Sequence, residues 1–464
     1  MSTALITMAE EIASLRLELA ATRAQLELTE AVMTSGHGAP TTAVDEEGFE
    51  KCFFGTYDAS ALGTVGADGE ARDRNVDSAY FDSYSHVAIH ETMLRDEVRT
   101  GAHAAAITPG HFAGKVVLDV GCGTGILSML AARAGAARVI GVDASPAIID
   151  SARVAVAANG LAGAVRLVSG RIEDLSRADL ELAEGEAVGI VLSEWMGYCL
   201  LFESMLPSVL GARDRFMRSG GTMWPSQVRL FIEAWSDRTP DAYDLGTFPS
   251  PGGRFSGEVG SAGGGGSSGG GGVGSGARRG SAWWQAVQGK PGAGRLAWWR
   301  RVHGLDMSCF APLVLGSASF EAVAPACVVS SRGRLWEVDL NACDGTTAGL
   351  GITDAPFEMT VQGGPAMLDG FVVAFDVAFR HPGEGGTPVD VLLSTGADGP
   401  ATHWKQTLFL LDPHQAPRSP LLVGTVVCGK FSMRRSAANP RCYDAAISWA
   451  VGDLSGSQTY NIST

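Results

Sequence analysis

The sequence predicts an α/β half with a parallel sheet over about residues 78–223, followed by an antiparallel β half over 224–464. Three observations predict it. Val116 to Val120 is an apolar, β-prone run that opens onto Gly121, Gly123 and Gly125, and Ile126 to Ala134 then reads as a helix. Arg138 to Asp143 reads as a second buried strand that ends in an acid. Beyond Trp224-Pro225 the helical periodicity stops, and short β-prone runs separated by turn signals take over.

A strand, a glycine turn and a helix form the entry to a Rossmann-like half, where bare backbone can approach a nucleotide-bearing ligand. Asp143, at the end of the second strand, is placed to accept the hydroxyls of a ribose. The glycines do not complete the dinucleotide spacing G-x-G-x-x-G, because position 126 is Ile. A nucleoside without a pyrophosphate fits better, so the expected cofactor is S-adenosylmethionine rather than NAD. Further strands are expected at 165–169 and 188–193, with a helix near 146–159. That alternation puts the ligand beyond the carboxyl ends of the strands.

Residues 1–34 are expected to hold an amphipathic helix, on the spacing of Ile12, Leu15, Leu19 and Leu26 among Glu, Arg and Ala. Residues 35–77 read as a linker rich in Gly, Ala, Asp and Thr. His86 to Arg99 reads as a helix, with Tyr84, Val87, His90, Met93 and Leu94 on one face and Asp96 and Arg99 around it. The β half is expected to close into a sandwich or barrel from runs such as Val228–Ala234, Phe371–Phe379 and Tyr443–Val451. Residues 251–280 interrupt it with a Gly- and Ser-dominated insertion expected to be disordered, flanked by Trp283-Trp284 and Trp298-Trp299.

The chain has 464 residues, room for two or three domains and a large core. Its net charge of −15 argues against direct nucleic-acid binding and suits steering of basic substrates. No apolar run reaches transmembrane length, and the amino terminus lacks the layout of a secretory signal. The eight cysteines are scattered without a C-x-x-C pair, which suggests neither a zinc site nor a disulfide framework. Reduced thiols in the cytoplasm, or also the nucleus, are expected.

A second constellation begins where the fourth strand should end. Glu194 and Glu203 bracket the turn Trp195-Met-Gly-Tyr-Cys-Leu-Leu-Phe202, which would bring both carboxylates together. Two close acids act as general acid and base or clamp a cation. A guanidinium offers a planar fork of five donors to such a pair.

Tyr80-Phe-x-x-Tyr84, Val116–Gly125, Ser193-Glu-Trp-Met-Gly-Tyr198, Glu203-Ser-Met205 and Thr402-His-Trp404 together resemble the protein arginine N-methyltransferases, in particular those that make asymmetric dimethylarginine. The likeness runs from about residue 78 to the carboxyl terminus and implies a homodimer with a dimerisation arm at about 236–309. It also implies roles. Glu194 and Glu203 would grip the substrate arginine, Tyr84 would shape the pocket, and Met93 and Met205 would restrict how the methylated nitrogen sits. His403 would pair with Asp96. Arg99 would hold the cofactor carboxylate, Asp143 the ribose and Glu173 the adenine, with His90, Asp119, Gly121, Gly123, Ala144 and Ile172 completing the cofactor site. No metal is implied. The expected substrates are proteins with arginine-rich segments, such as glycine-arginine-rich tails, and ribosomal proteins. Thr92 and Gly211 depart from the usual Glu and Tyr of the family, and no paired cysteines precede the first helix to build a zinc finger. The rival readings are a small-molecule methyltransferase and a non-catalytic adaptor for arginine-rich proteins.

Overall fold

The computed structural model describes residues 80–81, 84–237, 299, 302–345, 351–381, 388–437 and 439–463. The amphipathic helix, the linker, the glycine insertion, Trp283, Trp284, Trp298 and most of the expected arm lie outside the described residues.

The first half is a three-layer α/β unit. Its parallel sheet has the order β3-β2-β1-β4-β5, from β1 (Val116–Val120), β2 (Arg138–Asp143), β3 (Val165–Ser169), β4 (Val188–Leu192) and β5 (Met217–Trp224). β4 reads Val-Gly-Ile-Val-Leu and is buried throughout, as a strand covered by helices on both faces must be. The helices are α1 (Val87–Arg95), α2 (Glu97–Ala106), α3 (Pro109–Phe112), α4 (Ile126–Arg133), α5 (Pro146–Ala158) and α6 (Leu206–Phe216). The strand order reverses beside β1, the switch point at which such sheets bind ligands.

The helix expected across His86 to Arg99 is broken in two. Asp96 leaves the helical region with ψ 93°, ends α1 and caps α2 by accepting the Arg99 N–H on its side chain. A short acid that can satisfy an orphan helix donor competes well with continued helix. The kink turns Arg99 and His90 towards one cavity.

The second half is antiparallel and barrel-like. One sheet runs β7-β12-β10-β6-β8 with β11 also on β10, and the other runs β15-β14-β13-β9. The strands are β6 (Gln227–Trp235), β7 (Ser319–Glu321), β8 (Gly333–Asp339), β9 (Gly351–Thr360), β10 (Gly370–His381), β11 (Val389–Ser394), β12 (Gln406–Leu410), β13 (Val426–Arg435), β14 (Tyr443–Val451) and β15 (Leu454–Ile462). β14 alternates buried and half-buried positions along its length, the period-2 pattern of a strand with one face on the core. β5, β7 and β15 add strands that the sequence pattern does not announce. The described end of the expected arm holds a Val302–Leu305 bridge, and α7 (Ala311–Leu315) follows the arm ahead of β7.

The halves share one hydrophobic core. Trp224 lies at their junction, with its ring 6.0 Å from Phe112 on α3 and 5.8 Å from Phe379 on β10. Arg213 on α6 donates to the carbonyls of Leu340 (2.6 Å) and Cys343 (2.8 Å), a polar tie across the same junction. Among the described residues no helix is long and apolar enough to cross a membrane.

Gly141 in the middle of β2 has no room for a methyl group, since an added Cβ would stand 2.7 Å from Leu167 Cδ2 and 2.9 Å from Ser128 Oγ. Gly141→Ala is expected to destabilise the chain by about 1–3 kcal/mol through overpacking, read from denaturant midpoints. A neutral substitution would mean that the β2–α4 packing is looser than described.

Candidate active site

The carboxyl ends of β1, β2 and β4 open onto a cavity of about 280 Å³. Tyr84, His90, Met93, Arg99, Gly121, Gly123, Asp143, Ala144, Ile172, Glu173, Glu194, Glu203, Met205 and His403 all line it. Asp96 and Asp119 stand behind that lining.

Gly121 and Gly123 take φ 74° and 50°, a region where a side chain is strained, so the β1–α4 turn presents bare backbone. A Cβ on Gly123 would also approach His90 Cε1 to 3.3 Å. His90 is fixed by a 2.8 Å hydrogen bond between Nε2 and the Tyr84 carbonyl. Asp143 accepts the N–H groups of Gly123 and Ser145, both at 2.9 Å, which orients its carboxylate at the rim of the glycine cradle. Burial raises its pKa, and the backbone donors act against that rise. Asp119 is buried, with Oδ2 accepting from Ser128 Oγ at 2.6 Å and Oδ1 with no hydrogen-bond partner among the described residues. Burial pushes Asp119 from 3.8 up to about 7. Glu173 is exposed at the cavity edge and accepts from Ser208 on α6.

The second cluster lies on the turn that follows β4. Ser193 anchors its start, donating Oγ to the Val120 carbonyl at 2.7 Å and N–H to the Trp224 carbonyl at 3.0 Å. The turn then doubles back tightly at Gly197, where an added Cβ would stand 2.0 Å from the Phe202 carbonyl oxygen. Trp404 of the β half donates its indole N–H to the Met196 carbonyl at 2.9 Å, and the Tyr198 ring stacks on Phe320 of β7 at 4.2 Å. Glu194 and Glu203 thus face one cavity from the two arms of a pinned turn.

Protein donors reach Oε2 of both carboxylates. Arg99 reaches Glu194 Oε2 through Nε (2.7 Å) and Nη2 (2.5 Å), while Glu194 Oε1 is buried with no hydrogen-bond partner among the described residues. The hydroxyls of Tyr80 and Tyr84 both donate to Glu203 Oε2 at 2.8 Å. Burial raises the pKa of Glu203, the two tyrosine hydrogen bonds lower it, and the Glu194 charge raises it again. Both tyrosines are pushed well above their ordinary range by burial first and by Glu203 next, so they stay protonated donors.

His403 meets Asp96 as expected, with Nδ1 and the backbone N–H 2.7 and 2.8 Å from Asp96 Oδ2. Burial pushes Asp96 up, but the bonds from His403 and the Arg99 N–H outweigh it and the carboxyl ends below 3.8. Sequence reasoning missed two contributors. Tyr80 belongs to a recognised motif yet had no role assigned, and Arg441 stands more than two hundred residues from Glu203, whose backbone it holds. No periodicity or spacing marks Arg441.

Residues 117–221 match a methyltransferase domain family, and residues 279–454 match the arginine methyltransferase oligomerization subdomain. Protein arginine N-methyltransferase 1 of Saccharomyces cerevisiae is 34% identical over 356 residues, 75% of this chain and 82% of the relative. The chain belongs to the protein arginine N-methyltransferase family. Protein arginine N-methyltransferase 6 of Xenopus laevis is 33% identical over 81% of this chain and 92% of its own length. Among solved structures, an arginine methyltransferase enzyme–prozyme heterotetrameric complex with AdoHcy from Trypanosoma brucei superposes with a TM-score of 0.62 at 28% identity. It covers 82% of this chain and 100% of that one. Protein arginine methyltransferase 10 of Arabidopsis thaliana gives 0.60 at 26% identity, covering 83% of this chain and 100% of that one.

For a member of this family, the buried acid behind the cradle makes a stability test. Asp119 holds its proton more tightly folded than unfolded, so its contribution is full at low pH and is lost as pH rises through about 7. Asp119→Asn cannot ionise. Its unfolding midpoint relative to the parent is therefore expected to climb between the ordinary 3.8 and about 7. A difference that stays constant across this window would mean that Asp119 does not titrate there.

Proposed function

We propose that the chain transfers methyl groups from S-adenosylmethionine to guanidino nitrogens of protein arginines, giving mono- and asymmetric dimethylarginine. One observation carries this reading: two carboxylates line one cavity, both held on Oε2 by protein donors, and Glu194 Oε1 is buried with no hydrogen-bond partner among the described residues. A guanidinium has donors on two edges and needs two such acceptors.

The cradle suits the cofactor. Bare backbone at Gly121 and Gly123 admits its methionine part, Asp143 reaches the ribose, and Ile172, Ala144 and Glu173 border the adenine. When bound, S-adenosylmethionine supplies an electrophilic sulfonium methyl. The difficulty is that the acceptor guanidinium is also cationic. Glu194 and Glu203 offset that repulsion, fix the attacking nitrogen and draw charge to the other nitrogens, so catalysis is mainly orientation and electrostatics. Arg99 bridges the two sites, since it holds Glu194 and stands where a cofactor carboxylate would be met. The His403–Asp96 pair ties the β half to the kink between α1 and α2, which closes over the cleft. Glu203, with its pKa raised by burial, is the carboxylate suited to take the proton released from the methylated nitrogen.

Met93 and Met205 line the same cavity, and on this reading they leave space for two methyl groups on one nitrogen only. Within the family, Ser193–Met205 and Thr402–Leu411 favour a likeness to protein arginine N-methyltransferase 3, without a zinc finger in this chain. The matched oligomerization subdomain supports association of protomers, and we read the assembly as a homodimer. The acidic balance suits arginine-rich protein segments as substrates and a cytoplasmic or nuclear place of action.

Incubation with S-adenosylmethionine and a glycine-arginine-rich peptide is expected to yield asymmetric dimethylarginine by mass spectrometry. Symmetric or only monomethyl product would overturn the assigned type, and methyl transfer to small molecules alone would overturn the substrate class. Glu203→Gln is expected to keep affinity for S-adenosylhomocysteine and to lower kcat by about 100-fold or more. Near-normal turnover would remove the clamp from the mechanism.

A further inference from the structure

Arg441 sits in the β13–β14 hairpin of the β half, and its contacts converge on the acidic turn of the other half. The Glu203 N–H donates to the Arg441 carbonyl at 2.9 Å, and Arg441 Nη1 donates back to the Glu203 carbonyl at 2.7 Å. Both backbone polar groups of Glu203 are therefore held by one distant residue. This matters because Glu203 has φ 75°, a left-handed conformation that a non-glycine residue keeps only when its surroundings impose it. The same guanidinium lies 4.2 Å over the Tyr80 ring, 5.3 Å from the Phe81 ring and 3.5 Å from Met205 Sδ. Tyr80 in turn donates to Glu203 Oε2.

The hairpin that carries Arg441 is itself braced. Asn439 accepts the Arg441 N–H on Oδ1 at 2.9 Å and accepts the Cys442 N–H on its carbonyl at 2.9 Å. Next along the chain, Tyr443 OH meets Ser204 Oγ at 2.9 Å. Glu203, Ser204 and Met205 are thus each touched by this one hairpin.

We propose that Arg441 is a positioning residue for methyl transfer: it fixes the backbone of Glu203 and, through the stacked Tyr80 ring, the direction of its carboxylate. The inference rests on the reading of Glu203 as one arm of the guanidinium clamp. An arginine is suited to this place because its planar fork can hydrogen-bond a carbonyl while its face covers an aromatic ring. A lysine has the charge and not the fork.

Arg441 is also a cation acting on Glu203. The other groups acting on it are Tyr80 and Tyr84 from the segment leading into α1, and Glu194 from its own turn, with Tyr198 facing it from the same turn. Burial and Glu194 raise the Glu203 pKa, while Arg441 and the tyrosine hydrogen bonds lower it. Without Arg441 the clamp should protonate at higher pH, so the acid limb of kcat/KM moves up.

The test uses the full chain with S-adenosylmethionine and a glycine-arginine-rich peptide. Arg441→Ala is expected to lower kcat about 10- to 100-fold and to move the acid limb to higher pH. Calorimetric affinity for S-adenosylhomocysteine should change less than about threefold, because the cradle is untouched. Arg441→Lys is expected to return the acid limb to the parent position while kcat stays reduced. If the alanine chain does not fold, Arg441→Met, which keeps an apolar stem over the tyrosine ring, replaces it. A variant with the kcat and acid limb of the parent overturns the proposal. So does one in which kcat and cofactor affinity fall together while the acid limb stays in place, because that is the mark of general loosening. No transfer by the parent chain would overturn the functional reading and this inference with it, whereas transfer by the parent with an indifferent Arg441 overturns the inference alone.

Discussion

Carboxylates set in an apolar turn are costly unless each is paired or hydrogen-bonded, and this turn holds two, Glu194 and Glu203. Their compensation organises the site. Arg99 comes to Glu194 from α2, which exists as a separate helix because Asp96 breaks the chain and caps it. Tyr80 and Tyr84 come to Glu203 from the segment before α1. On Glu194 these partners leave Oε1 with no hydrogen-bond partner among the described residues. Partial satisfaction is what distinguishes a binding site for a cation from a structural ion pair, in which the charges would be closed against each other.

The two clusters are linked through groups that serve both. Arg99 leaves α2 beside the cofactor cradle and ends on a clamp carboxylate, and it also donates to the Met93 carbonyl at 3.1 Å. His90 borders Gly123 on one side and holds the Tyr84 carbonyl on the other. Asp96 ties the kink to His403 of the β half. His90 and Arg99 thus tie the glycine cradle to the residues around Glu203 and Glu194.

Much of this was legible in the chain, and the divide between legible and hidden is physical. β1, β2 and β4 are buried on both faces, so their apolar runs end where the strands end and the glycine cradle follows directly. The acids of the turn stand out because charged residues in an apolar stretch need an explanation. Three features were not legible. The break at Asp96 is decided by a cap hydrogen bond to the Arg99 N–H and by His403, more than three hundred residues away, and helical periodicity runs straight through it. β15 carries Ser, Gly, Gln, Thr and Asn at half-buried positions, so its alternation is too weak to see, and its place is set by pairing with β14. Arg441 has no local signature, because its meaning lies in what the hairpin fold brings it against.

The acidic turn shows why the parallel sheet alone would not make this site. Cys199, Leu200, Glu203 and Ser204 have φ of 49°, 69°, 75° and 60°, each in the left-handed region. Residues held there cost about 1 kcal/mol or more apiece, and such conformations persist only where the surroundings over-determine them. The surroundings here belong largely to the β half: Trp404 on the Met196 carbonyl, Phe320 under Tyr198, Arg441 on Glu203 and Tyr443 on Ser204. The cradle at Gly121 and Gly123, by contrast, is built wholly from the α/β half. A chain cut after β5 would keep the elements of a cofactor cleft and lose what bends its carboxylates into a clamp. The glycine cradle is thus built by one half, and the acidic turn is held by both.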